Sequence, residues 1–229
     1  KRQLLYTDGA CEDFGNEVTC GGVLFLGDGS GPLYFGLKVP SSVTSGWSLD
    51  SGEQVIAQAE LAPVLLSRLT FRDLLAGRHI IAFIDNDSAR FGLIKGYSPN
   101  LSCARLLSAI WLEEASSQSF SWYERIPSPS NLADGPSRLR FDAMEAFPGS
   151  RRAEAVFLAA AVARQEVKRS LPNLHATNAS QGALPTPLVA GAGRGGTHSV
   201  ASMLHQLKAI MVTLLRIIQI SRWRGYQTI

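Results

Sequence analysis

The chain has 229 residues, 45% of them hydrophobic and 18% charged, so a sizeable core can be buried and full disorder is excluded. The net charge of +3 hides a split: residues 1–140 carry 12 Lys/Arg against 15 Asp/Glu, and residues 141–229 carry 10 against 4. That asymmetry predicts an acidic folded part and a basic tail, which can ease approach to nucleic acid or simply be solvated.

Residues 3–10 read as a strand ending in a turn, residues 21–27 as a second strand and residues 33–39 as a third. The turn Gly27-Asp28-Gly29-Ser30-Gly31-Pro32 makes the last two a hairpin. The Ser/Thr/Gly-rich residues 40–52 predict a loop. From Glu53 to about Leu69, apolar residues recur at helical spacing (Val55, Ile56, Ala59, Ala62, Leu65, Leu66), with a kink expected at Pro63. Residues 79–85 are nearly all apolar, the pattern of a strand buried on both faces. A helix over 85–95 is stopped by Gly96, another covers 100–115, and a fifth strand covers 119–126. Residues 127–131 form a loop, and a last helix starts near Leu132. This order predicts an α/β fold: a mixed five-stranded sheet, three antiparallel strands and then parallel ones, with helices on its faces.

The division expected is a domain over 1–147 and a basic extension over 148–229. The extension holds an alanine-rich helix over 151–169, a Gly/Pro/Ser-rich linker over about 172–200 and an amphipathic helix over about 202–220. Lys208 and Arg216 interrupt that last segment, so no membrane span is expected; a partner-binding helix, a membrane-surface helix and an unrelated extension are the alternatives. Cys11, Cys20 and Cys103 are too few for a disulfide framework and fit a reducing compartment. The chain opens on Lys1 without a signal-peptide pattern, so the expectation is a piece of a longer intracellular protein, in cytoplasm or nucleus.

Four carboxylates stand out by position: Asp8 at the end of the first strand, Glu60 inside an apolar helix, Asp85 at the end of the buried strand and Asp134 opening the last helix. Three of them have an ordinary alternative: Asp8 as a turn former, Asp85 as a helix cap, Asp134 as a first-turn acid. Glu60 has the least satisfying one, because an unpaired charge among apolar neighbours is costly. Brought together, the four would repel, and a divalent metal resolves that conflict; hard oxygen ligands select Mg²⁺ or Mn²⁺.

The order strand-Asp, helix-Glu, strand-Asp, helix-start-Asp resembles that of ribonuclease H domains, particularly those of DIRS-like retroelement reverse transcriptases. Two local stretches carry the resemblance further: Phe83-Ile84-Asp85-Asn86-Asp87-Ser88-Ala89, and Arg125-Ile126-Pro127-Ser128 leading through Asn131 and Ala133-Asp134 to Pro136-Ser137-Arg138. The resemblance covers residues 1 to about 145. It implies a ribonuclease H-like fold and a metal-dependent endoribonuclease hydrolysing the RNA strand of RNA–DNA hybrids. It makes Asp8, Glu60, Asp85 and Asp134 the catalytic ligands of two Mg²⁺ ions, with Mn²⁺ able to substitute. It also implies Gly9, Ala10, Cys11, Asn86 and Arg90 as substrate contacts, Lys95 as a further phosphate contact, and a polymerase domain of the same polyprotein as partner.

Two departures weigh on activity. No His lies in residues 124–133, where many members of that family carry one, and no Lys/Arg-rich insertion lies between Ile94 and Leu112. The rival is therefore a catalytically inactive ribonuclease H-like module of a degenerate retroelement that binds nucleic acid or a partner. A proofreading-type exonuclease would begin Asp-x-Glu, where this chain has Asp8-Gly9-Ala10. A transposase core would place its Glu last, and no phosphate-binding G-x-x-x-x-G-K-[ST] is present.

Overall fold

The computed structural model describes residues 2–12, 17–51 and 55–156. The predicted linker and amphipathic segment, and the alanine-rich stretch from residue 157, lie outside the described residues. Strands β1 (Gln3–Glu12), β2 (Glu17–Phe25), β3 (Leu33–Lys38), β4 (His79–Ile84), β5 (Phe120–Arg125) and β6 (Arg151–Arg152) form one sheet in the order β5-β4-β1-β2-β3-β6. Strands β1, β2 and β3 are mutually antiparallel, whereas β4 runs parallel to β1, and β5 parallel to β4. The mixed sheet is thus as predicted, with one strand more than expected. Where the alanine-rich composition predicted a helix from residue 151, Arg151–Arg152 instead lies parallel to β3, with Arg151 N donating to Pro32 O (2.9 Å) and Ala153 N to Tyr34 O (2.7 Å). The open edge of β3 supplies partners that local composition cannot reveal.

The helices are α1 (Ser41–Ser51), α2 (Ile56–Thr70), α3 (Arg72–Leu75), α4 (Asp87–Lys95), α5 (Leu101–Ser117), α6 (Asp134–Ser137) and α7 (Asp142–Glu145). Helix α1 corrects the predicted loop. Its serines return their hydroxyls to the preceding turn (Ser45 Oγ to Ser41 O, 2.7 Å; Ser48 Oγ to Thr44 O, 3.2 Å), and Thr44 and Trp47, one turn apart, are buried. Burial of that stripe outweighs a composition that favours turns. Helix α2 runs as one element through Pro63 and is buried at every position from Gln58 to Arg68. It is the central helix, packed between the sheet and α5. Asn86 and Asn100 cap α4 and α5 by accepting from Ala89 N (3.0 Å) and Cys103 N (2.9 Å), and Gly96 ends α4 at φ 68°.

The main core, including Leu5, Leu24, Phe35, Leu61, Leu65, Ile80, Leu107 and Ile110, lies between the sheet, α2 and α5. A smaller cluster of Val23, Tyr34, Ala133 and Met144 lies under α6 and α7 on the other face. Those two short helices replace the single last helix expected from Leu132; Leu139, at φ 57°, breaks the path between them. Helix α6 packs on β1, β2 and β3. Strand β4 is not buried on both faces: Ile80, Ala82 and Ile84 are buried, while His79, Ile81 and Phe83 alternate on a half-open face. There Phe83 stacks on Tyr6 at 4.7 Å and His79 on Phe120 at 5.5 Å.

Candidate metal centre

Sheet register brings the first two acids together. The parallel ladder of β1 and β4 ends at Tyr6↔Phe83, and two residues further along each strand stand Asp8 and Asp85. Equal offsets on neighbouring parallel strands put the two carboxylates side by side just past the end of the β1–β4 pairing, Asp8 within β1, which continues to Glu12, and Asp85 immediately after β4. The carboxyl end of a parallel pairing is where α/β sheets hold ligands. Asp8 is not a turn residue: β1 and β2 stay paired past it, from Asp8↔Gly21 to Glu12↔Glu17. Asp85 is not the cap of α4, since Asn86 fills that position.

Glu60 arrives from α2, and its approach depends on Gly9. A Cβ at Gly9 would lie 2.1 Å from Ala59 O, so only glycine lets α2 pack this closely on β1. Pro63 has no N–H to give the Ala59 carbonyl four residues earlier, and the Cys20 thiol donates toward that oxygen instead, at 3.8 Å. The next residue, Glu60, then accepts from the Gly9 backbone N–H. We expect Gly9→Ala to lower stability by about 3 kcal/mol in urea unfolding. Gly46→Ala in α1, where no atom lies within 4 Å of the added methyl, should be neutral or slightly stabilising.

Carboxylate oxygens of Asp8, Glu60 and Asp85 lie within 4.8 Å of one another. Asp8 and Glu60 are buried and Asp85 half-buried. Burial, with the charges of Asp8 and Asp85, pushes Glu60 up to about 9. Burial raises Asp8 to about 6, against a hydrogen bond from Ser137 that pulls the other way. Glu60 Oε2 and Asp85 Oδ1 are buried without a hydrogen-bond partner. Three converging hard oxygen donors, two of them carrying an unpartnered oxygen, fit a divalent cation.

The sign of the pH dependence follows. Glu60 ordinarily titrates near 4.5, so between pH 4.5 and 9 the metal-free native state holds a proton that the unfolded chain has released. Its stability therefore falls as pH rises through that window. Glu60→Gln removes this loss. In a chelator its melting temperature should match the parent's at pH 4 and exceed it at pH 8, by on the order of 2–4 kcal/mol in stability. A difference that stays flat with pH would contradict the electrostatic account.

The structure leaves Asp134 outside this trio. Its carboxylate pairs with Arg138 (3.0 Å) and Arg140 (3.5 Å), and Arg138 also reaches Glu12 (4.0 Å). Its charge still contributes to raising Asp8. Of the expected substrate contacts, Gly9 and Ala10 are buried in β1, Asn86 is occupied as a helix cap, and Arg90 pairs with Asp87 (3.3 Å) and lies 4.8 Å over the Phe91 ring. Lys95 lies 5.7 Å from the same ring. Cys11 is half-buried, its thiol raised to about 11 by burial and by Glu60. Asn131 and Ser137, for which the sequence alone suggests no role, both act on β1. Asn131 Nδ2 donates to Thr7 O (3.1 Å), tying the loop after β5 to the residue before Asp8, and the Ser137 hydroxyl donates to Asp8.

No protein-family model and no curated protein sequence matches the chain. Among solved structures it is similar to an RNase H1 from the halophilic archaeon Halobacterium salinarum NRC-1, at 18% identity over 62% of this chain and 99% of that one, with a TM-score of 0.43. It is also similar to the N-terminal RNase H domain of a Mycobacterium tuberculosis protein, at 15% identity over 63% and 96%, TM-score 0.43. A third is an RNase H1 in complex with an RNA/DNA hybrid, at 13% identity over 63% and 99%, TM-score 0.44.

Proposed function

We propose that this chain is a metal-dependent endoribonuclease that hydrolyses the RNA strand of RNA–DNA hybrids, as the ribonuclease H part of a retroelement reverse transcriptase. The observation that carries the reading is the convergence of Asp8, Glu60 and Asp85 from β1, α2 and the end of β4, where the charges of Asp8 and Asp85 both act against ionisation of Glu60. The sequence resemblance supports it independently, because the same acids occur in the same order on the same kinds of element.

Asp8, Glu60 and Asp85 would hold Mg²⁺, or Mn²⁺ in its place, and Asp134 would join them on leaving its arginine partners. Divalent cations held there supply Lewis-acid stabilisation of charge on the attacking and departing oxygens of a phosphodiester. The chain's own contribution is preorganisation: β1 and β4 fix two carboxylates in register, and the Gly9 contact fixes the third. Backbone groups around Gly9, Ala10 and Cys11, with Asn86, would read the RNA strand, whose 2′-hydroxyls distinguish it from DNA, and Arg90 would reach a phosphate. No helix among the described residues is long and apolar enough to cross a membrane.

A second reading is an inactive module that binds hybrid without cutting it. The absence of His from residues 124–133 and the engagement of Asp134 by two arginines favour it. Cleavage of a labelled RNA–DNA hybrid with Mg²⁺, Mn²⁺ or chelator, against single-stranded RNA and duplex DNA, separates the two. Metal-dependent cutting of hybrid RNA alone is the expected result. Salt-sensitive binding of a hybrid that stays intact in both metals would establish the inactive module.

A further inference from the structure

The Ser137 side chain is fully buried in α6, and its hydroxyl lies between two acceptors: Asp8 Oδ2, with which it is hydrogen-bonded, and Asp134 O at 2.9 Å. A hydroxyl has one proton to give. A carboxylate is a stronger acceptor than an amide carbonyl, so the proton belongs to Asp8 when that group is ionised. The position of Ser137 is set by backbone packing. A Cβ at Gly21, the residue paired with Asp8 across the β1–β2 ladder, would lie 2.3 Å from Ser137 N, so α6 rests directly on β2. Ser137 N donates to Ala133 O (2.8 Å), and Asn131 fastens the segment's entry to Thr7. A short side chain on an immobilised turn is a rigid template for the longer Asp8.

We propose that Ser137 is a positioning residue for the metal site: by holding Asp8 Oδ2 it fixes the carboxylate's rotation and presents Oδ1 to the cation. This rests on the metal reading above but not on hydrolysis. Residues that orient a ligand from behind commonly govern metal affinity by 10–100-fold.

The test is Mn²⁺ titration of the full chain without nucleic acid, followed by water-proton relaxation, for the parent, Ser137→Ala and Ser137→Thr, with melting temperatures taken in chelator. Ser137→Ala should bind Mn²⁺ about 10–100-fold more weakly, with a metal-free melting temperature lowered by the loss of one buried hydrogen bond, and Ser137→Thr, which keeps the hydroxyl, should bind within a few-fold of the parent. Parent-like affinity in Ser137→Ala overturns the proposal. So does an equal loss in both variants, which would make Ser137 a packing group only. A parent that binds no Mn²⁺ removes the metal site and this role together. A parent that binds Mn²⁺ in a Ser137-dependent way yet leaves hybrid uncut supports the role and overturns only the nuclease reading.

Discussion

Asp85→Asn is expected to lower metal-dependent cleavage of an RNA–DNA hybrid by more than about a thousandfold, since partners that merely orient a metal ligand already cost 10–100-fold. The same substitution should leave the metal-free protein as stable as the parent or more so. Asp85 raises both Asp8 and Glu60 through its charge, so removing it relieves a repulsion that folding otherwise has to overcome. The two effects have opposite signs, which is the mark of a charge cluster kept for binding rather than for folding. Thermal unfolding should show the parent's melting temperature rising with added Mn²⁺ and the variant's barely moving. An Asp85→Asn protein that still cuts hybrid at the parent's rate would show that the cleavage arises elsewhere, whatever its stability.

The parts of this site that could be read in the sequence are those where one residue type departs from its surroundings. Glu60 interrupts an apolar helix and Asp85 ends an apolar strand, and both lie where that contrast places them. Strand β4 and helices α4 and α5 were legible because their signals are local, a hydrophobic run for β4 and Gly96 as the stop of α4; the cap of α4, expected at Asp85, is Asn86. Helix α1 was hidden because its stability comes from burying Thr44 and Trp47, not from its serines. Strand β6 was hidden because two arginines become a strand only when the β3 edge is beside them. The separation of Asp134 from the other acids was not legible either. It depends on Arg138 and Arg140 folding back over a one-turn helix, which charge spacing alone does not reveal. Gly9 looked like half of an Asp-Gly turn; its use is the approach of α2, which only the tertiary contact exposes.

Helix α2 carries a second buried charge, and the contrast with Glu60 is instructive. Arg68 lies eight residues beyond Glu60, about 12 Å along the helix axis. Its guanidinium is fully buried, yet it meets Glu114 of α5 and Ser121 in close contacts and Ser119 Oγ at 3.1 Å, while Tyr123 donates to the same Glu114 oxygen at 3.1 Å. The charge of Arg68 is matched by protein; the charge of Glu60 is not. Glu114→Ala should therefore cost about 3–5 kcal/mol, enough to lower the melting temperature by roughly 10 °C or more, because it strands a buried guanidinium and the Tyr123 hydroxyl together. The triple replacement Arg68→Met, Glu114→Leu, Tyr123→Phe should recover most of that loss, since it removes the charges as a set and leaves apolar groups of similar volume. Neither change touches the carboxylate trio, so the Mn²⁺ affinity of the folded protein should stay within a few-fold of the parent's. If Glu114→Ala left stability unchanged, α2 would be held by its apolar contacts alone. If the triple variant lost Mn²⁺ affinity, the Arg68 network would be part of what places Glu60, and the two buried charges on one helix would be a single device rather than two.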